Sequence, residues 1–287
     1  MKTKLAGFVA ILSLSFVFIP FLFAQGSGDE NKVQFSTPVF TQTEIDYSKS
    51  HPDYFTIQTK SIRVIRQEVK EEADMSYVMM NECPSDKDGM PVATDNIINI
   101  ASKIWGIISN NAPTVNIDTK YAVAYPIGIT AAAQMSQWSK PKSYVYGFYA
   151  NNLYGMRMID VEYKVTYTYG GAYKGGGKYL TAVTVIPTKV DVGWGYKFSM
   201  NAAVPDSTVT NVGTHTSPVA AMQLKLSWKI STVLKESDGA SMYYVQGDGY
   251  FAETASPFQM AYPFAKTLKI EAVNSARPLL EGKKIFE

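Results

Sequence analysis

The segment Met158–Gly171, MIDVEYKVTYTYGG, alternates oily and polar side chains from Ile159 to Tyr169 and then stops at two glycines. One row holds Ile159, Val161, Tyr163, Val165, Tyr167 and Tyr169; the other holds Asp160, Glu162, Lys164, Thr166 and Thr168. A period of two puts the rows on opposite faces of an extended strand, and the oily face has to be covered. Either a second protein layer covers it and the charged row meets water, or lipid covers it and the charged row lines a lumen.

The alternation recurs downstream. KVDVGWGYKFSMNA sets Val190, Val192, Trp194, Tyr196, Phe198 and Met200 against Lys189, Asp191, Gly193, Gly195, Lys197 and Ser199. AMQLKLSWKIST sets Met222, Leu224, Leu226, Trp228 and Ile230 inside, with Gln223, Lys225, Ser227 and Lys229 outside. SYVYGFYA and YLTAVTVIP are further strands, GGAYKGGGK is a hairpin loop, and KESDGAS is a turn around Asp238 and Gly239 before the return strand MYYVQGDGYF. Short polar connections of this kind argue for an antiparallel meander.

Upstream, KVQFSTPVFTQTEID and YFTIQTKSIRVIRQEV have the β-branched alternation of extended segments, and Glu71 to Thr94 is a long acidic connection. After Asp95 as N-cap, Ile97, Ile98, Ala101, Ile104, Trp105 and Ile108 fall at helical spacing. This predicts one amphipathic helix over about 95–110, packed on the sheet. A second short helix is expected from Thr130 to Trp138. The fold expected is mainly β (α+β), an antiparallel meander or β-sandwich carrying that helix. A transmembrane barrel shares the alternation, but the apolar helix and the charged end LEGKKIFE favour the water-soluble form.

The first 24 residues have the pattern of a secretory signal peptide: Lys2 and Lys4, an apolar run from Leu5 to Phe23, and a small residue, Ala24, at the expected cut. A retained anchor is the competing reading, and Pro20 and the polar GSGDE favour cleavage. Lys2 and Lys4 leave with that segment and no acid does, so 27 basic and 25 acidic residues become an even 25 of each. A neutral chain has no general attraction for phosphate backbones, which argues against a nucleic-acid partner. Cys83 is the single cysteine, so internal disulfides are excluded and packing must supply the stability. With the absence of Asn-x-Ser/Thr, this fits a bacterial protein that is secreted or periplasmic. The division expected is 1–24 signal, 25–93 extended segment and linker, 94–251 helix plus β domain, and 252–287 irregular.

Chemistry-bearing groups are sparse. The two histidines, His51 and His215, and Cys83 lack metal-ligand spacing, and no catalytic residue, metal or cofactor is assigned. GGAYKGGGK departs from a phosphate loop at Ala172 and Tyr179, and a strand follows where a helix is needed. CPSDKDGMPVATD holds a calcium-loop fragment in Asp86, Asp88, Gly89 and Asp95, but Pro84 stands where the first ligand belongs. Asp160, Glu162 and Asp191 are candidates for a cross-strand carboxylate pair; Lys164, Lys189 and Lys197 on the same kind of face point instead to a charge-balanced surface. Gly193 and Gly195 flank Trp194, which leaves room either for an aromatic from a neighbouring strand or for a ligand over bare backbone.

Exclusion of known chemistry leaves a non-enzymatic binding module for an unidentified macromolecule, protein or glycan. Its expected contacts are the loop tips 170–178 and 203–217, with Tyr173, Lys174, Lys178 and His215 as binding residues. Rival readings are an outer-membrane barrel or pore former inserting the Tyr/Gly-rich hairpin around 158–186, and a hydrolase using the carboxylate pair.

Overall fold

In a computed structural model, described over residues 35–71, 91–114 and 120–257, the alternating segment lies in one long strand, Arg157–Tyr173. Ile159, Val161, Tyr163, Val165 and Tyr167 are completely buried. What buries them is a second antiparallel sheet. The strands in chain order are β1 (Arg63–Glu71), β2 (Ala93–Ile98), β3 (Ile104–Ser109), β4 (Ala112–Pro113), β5 (Ala122–Ile127), β6 (Lys142–Asn151), β7 (Arg157–Tyr173) and β8 (Gly176–Val192). They continue with β9 (Lys197–Ala203), β10 (Thr210–Asn211), β11 (Ala220–Ser231), β12 (Glu236–Gln246) and β13 (Phe251–Ala255). One sheet has the order β1-β6-β7-β8-β5-β2, the other β13-β12-β11-β9-β3-β4 with β10 beside β11. Both are open sheets packed face to face, a β-sandwich rather than a closed cylinder.

The β7–β8 hairpin organises the first sheet. Its turn is only Lys174-Gly175, both at positive φ (50° and 81°), the two-residue geometry whose twist matches antiparallel strands. The glycines on either side of that turn, expected as loop, are strand. Register shifts at Glu162/Tyr163, Thr166/Thr168 and Tyr169/Gly171 bend the pair along its length. In the second sheet Met222, Leu224, Leu226, Trp228 and Ile230 face inward as expected.

The helix expected over 95–110 is not formed; the segment is two strands, β2 and β3. The isoleucine spacing satisfies a helical stripe, but β-branched residues favour the pleated backbone. Asn99 breaks the run: its Oδ1 accepts from the Ala101 and Val123 amides, both at 3.1 Å, and its Nδ2 donates to the Ser102 carbonyl. Trp105 and Ile107 then point inward from β3, and Ile108 follows them after a bulge.

The helix lies earlier, α1 (Gln42–Ser50), in a stretch expected to be extended. Thr41 and Glu44 form a capping box: the Thr41 hydroxyl accepts from the Glu44 amide, and Glu44 Oε2 accepts from the Thr41 amide at 2.6 Å. Burial works against the Glu44 charge, but these bonds and Lys197, 3.6 Å away, hold its carboxyl below the ordinary value. Between Thr130 and Trp138 only a single 3-10 turn forms, Ala132–Gln134.

Two further expectations are corrected in the same way. KVDVGWGYKFSMNA is not one strand: β8 ends at Val192, the chain turns through Gly193–Tyr196, and β9 joins the opposite sheet. The turn expected at Asp238-Gly239 sits instead at Thr232–Lys235, where the Thr232 hydroxyl accepts from the Leu234 and Lys235 amides. Gly239 is a strand residue directly opposite Trp228, and a Cβ there would stand 2.5 Å from the indole. The glycine makes room for the ring.

Tyr146, Tyr163 and Tyr243 meet between the sheets, with the Tyr163 and Tyr243 hydroxyls 2.7 Å apart. Burial pushes all three phenols far above their usual range. Glu253 on β13 borders them; its loss of solvent outweighs Ser256 and Arg66 and raises its carboxyl.

Gly239→Val is expected to destabilise by about 1–3 kcal/mol through overpacking, and combining it with Trp228→Leu to cost less than the sum, as read by denaturant unfolding. A raised carboxyl favours folding fully below the ordinary glutamate range and loses that contribution as pH climbs through its folded value. Glu253→Gln is therefore expected to raise Tm at neutral pH, with the gain vanishing in acid.

Candidate binding face

β7 runs from one end of the sandwich to the other, and each end carries connections. The expected binding residues sit at the hairpin end. Lys174 occupies the turn with its ammonium 5.2 Å from the Tyr173 ring, and the Lys178 amide donates to Pro218. Lys178 also bridges to Val219, which ties the loop 203–217 to the hairpin. His215 Nδ1 is 2.7 Å from Asp95, and that hydrogen bond lowers the Asp95 carboxyl. The structure thus brings Lys178 close to the base of the His215 loop, with Tyr173 and Lys174 at the tip beyond. Cys83, Asp86, Asp88 and Gly89 lie outside the described residues. Among those described, no three His, Cys, Asp or Glu side chains come together to hold a metal.

The opposite end has a different character. There α1, the segment after it, the β6–β7 turn and the β8–β9 crossover converge. Tyr47, Tyr54, Phe55, Trp194 and Tyr196 form a continuous ring cluster: Tyr47 lies 5.5 Å from Trp194, and Phe55 lies 5.8 Å from Trp194 and 6.5 Å from Tyr196. His51 stacks on Tyr47 at 4.0 Å. The Tyr54 hydroxyl donates to the Trp194 carbonyl, and the Tyr196 hydroxyl donates to the Tyr54 carbonyl. Phe55 and Tyr196 are buried and anchor the cluster, whereas Trp194 is 48% exposed and Tyr47 42%. Leu153, Tyr154 and Met156 on the adjoining β6–β7 turn are also exposed. Backbone bonds from Leu153 to Asp53 and Thr56 tie that turn to the cluster.

The two glycines around Trp194 now have separate explanations. A Cβ on Gly195 would stand 2.4 Å from the Phe55 ring, and φ of +78° favours glycine there in any case. The Gly193 space is taken by the end of Met158. An aromatic does lie over one gap, but it comes from the segment after α1 rather than from a neighbouring strand.

Beside the crossover an open cleft of about 630 Å³ is lined by Asn111, Arg157, Met158, Asp160, Asp191 and Gly193, among others. Asp160 and Asp191 stand directly opposite each other on β7 and β8, while Glu162, the third candidate, faces Lys189. Both aspartates are engaged by cations. Lys189 Nζ is 3.3 Å from each, and Arg157 Nη1 donates to Asp160 at 3.2 Å. Hydrogen bonding to the two carboxylates raises the Lys189 ammonium above its ordinary value. The Arg157 guanidinium also covers the Tyr149 ring at 4.5 Å. Asn111 is fixed from behind: its Nδ2 donates to the Tyr196 carbonyl and its Oδ1 accepts from the Phe198 amide at 2.6 Å.

Sequence reading singled out Trp194, Asp160 and Asp191 but did not join them, because Tyr47 and Tyr54 reach Trp194 from far along the chain. Lys189→Met removes the cation between two facing carboxylates. Its Tm is expected to fall at low ionic strength and to recover with added NaCl, and Asp191→Asn in the same chain to restore it without salt. Compared with protein families, curated proteins and solved structures, the chain has no significant match, so the geometry of this face is the guide to what it does.

Proposed function

We propose that the chain is an exported, non-catalytic binding module of bacterial origin, freed of its leader after Ala24 and acting in the periplasm or outside the cell. It recognises a macromolecular partner with the end of the sandwich that displays Tyr47, Tyr154 and Trp194. The observation that carries this reading is the fixed exposure of Trp194. A half-exposed indole keeps apolar surface in water, and here its backbone and ring are held by Tyr54, Phe55 and Tyr47. A rigid surface aromatic gives contact area on binding without the entropy loss of ordering a mobile side chain. Rings of this kind dominate the energetics of recognition surfaces.

Two features favour recognition over the rival readings. Asp160 and Asp191 already accept from Lys189 and Arg157, a geometry suited to holding a polar ligand. Insertion into a bilayer is disfavoured because Arg157 and Lys189 at this end are paired with Asp160 and Asp191 and leave no excess of cations, whereas membrane-binding faces present several.

Purified mature protein is expected to cosediment with a bacterial cell-envelope fraction and to lose most of that retention when Tyr47→Ala and Trp194→Ala are combined. No retention of the wild type, undiminished retention of the double variant, or equal binding to protein-free lipid vesicles would overturn the assignment.

A further inference from the structure

We infer that the ligand of this face is a neutral saccharide chain, bound with a sugar ring over Trp194 and its hydroxyls in the Asp160–Asp191 cleft. The inference rests on the binding function just proposed and names the chemistry of the partner.

A pyranose presents two kinds of surface at once. Its flat faces are lined by C–H groups, which lose little when they leave water and pack well on the negative face of an aromatic ring. Its edges carry hydroxyls that both donate and accept, often in adjacent pairs. A chain-binding saccharide site therefore needs an exposed ring and side chains that accept and donate in fixed directions, both on one open face. This end of the sandwich has that combination. Trp194 directly follows Gly193, which lines the cleft, so the exposed indole and the cleft share one surface crossover. Asp160 and Asp191 supply carboxylate oxygens able to accept from neighbouring hydroxyls, and Arg157 and Asn111 supply donors. Charge-assisted bonds of this type are the stronger ones available to an uncharged ligand.

The charge balance selects among ligands. Asp160 and Asp191 are matched by Arg157 and Lys189 within 3.3 Å, so the cleft offers no net charge to a polyanion or polycation. An acidic glycan or a highly charged peptide would have to displace one of these pairs. A neutral saccharide only has to replace water. The openness of the cleft, between a sheet face and a surface crossover, fits a chain passing through rather than a small molecule enclosed.

The test uses the purified mature protein with neutral β-linked gluco-, xylo- and N-acetylglucosamine oligosaccharides, from tetra- to hexasaccharides, read by calorimetry and by tryptophan emission. Trp105 and Trp228 are buried and Trp138 is half-buried against Gly171 at the hairpin end, so an emission shift from a ligand stacked on Trp194 is expected to vanish in Trp194→Ala. At least one series is expected to bind, with Trp194→Ala weakening it about tenfold or more and Asp191→Asn weakening it several-fold. Trp194→Phe keeps a ring and is expected to retain part of the affinity, which separates stacking from misfolding. Tyr250→Ser, at the hairpin end, is expected to change nothing.

Failure of every neutral series to bind, preference for an acidic oligosaccharide, or equal affinity of the Trp194→Ala and wild-type proteins would overturn the inference. A loss of self-association in Trp194→Ala with no saccharide binding would do the same and assign the face to a second copy of the chain. If envelope retention still depends on Tyr47 and Trp194 while no saccharide binds, the binding function stands and the saccharide falls; if neither is seen, both fall.

Discussion

The hydroxyl pair of Tyr163 and Tyr243, 2.7 Å apart between the two sheets, constrains much of what surrounds it. Apolar burial is strong but non-directional, and two oily sheets can slide over one another with little change in area buried. Phenol rings supply the area, yet each brings a hydroxyl that must find a partner in a dry interior. Joining one hydroxyl from β7 to one from β12 meets both demands with a single bond and fixes the offset of one sheet on the other. Tyr146 packs against both rings, at 5.6 Å and 5.0 Å, and completes the junction. The remaining inward rows, aliphatic and aromatic, fill the space on either side.

How much of this was legible in the sequence depended on whether a pattern had one solution. Ile159 to Tyr167 and Met222 to Ile230 permit only a strand, and both are strands with the expected rows inside. Ile97 to Ile108 satisfies two periods at once, and the helical solution was the wrong one because neither Asn99 nor the β-branched content enters a count of spacings. The capping box of Thr41 and Glu44 was in plain view, but a short helix with few apolar residues has little periodicity to attract notice. Gly239 looked like a turn because a glycine beside an aspartate usually is one; its partner, Trp228, is visible only once the strands are paired.

The binding face was legible in pieces. Trp194 between two glycines and the acidic residues of β7 and β8 each stood out, but what unites them is the path of the chain in space. Tyr54 and Trp194 are 140 residues apart in sequence and joined by one hydrogen bond. Likewise Lys189 is the cross-strand neighbour of Glu162 yet serves Asp160 and Asp191, an arrangement that register alone specifies. Pairing across strands sets the electrostatics here, and a single sequence does not print it.

The passage from β8 to β9 has a consequence for how such a molecule can change over time. A residue that lies where the chain leaves one sheet for the other belongs to neither interior, so its side chain, though packed on one side against Tyr47, Tyr54 and Phe55, stands outside the volume between the sheets that Phe198 has to fill. Selection can exchange the ring at position 194 for another shape while the interior keeps its packing. Novelty in what the molecule recognises and constancy in how it folds are thereby assigned to different atoms, a few residues apart on the same stretch of chain.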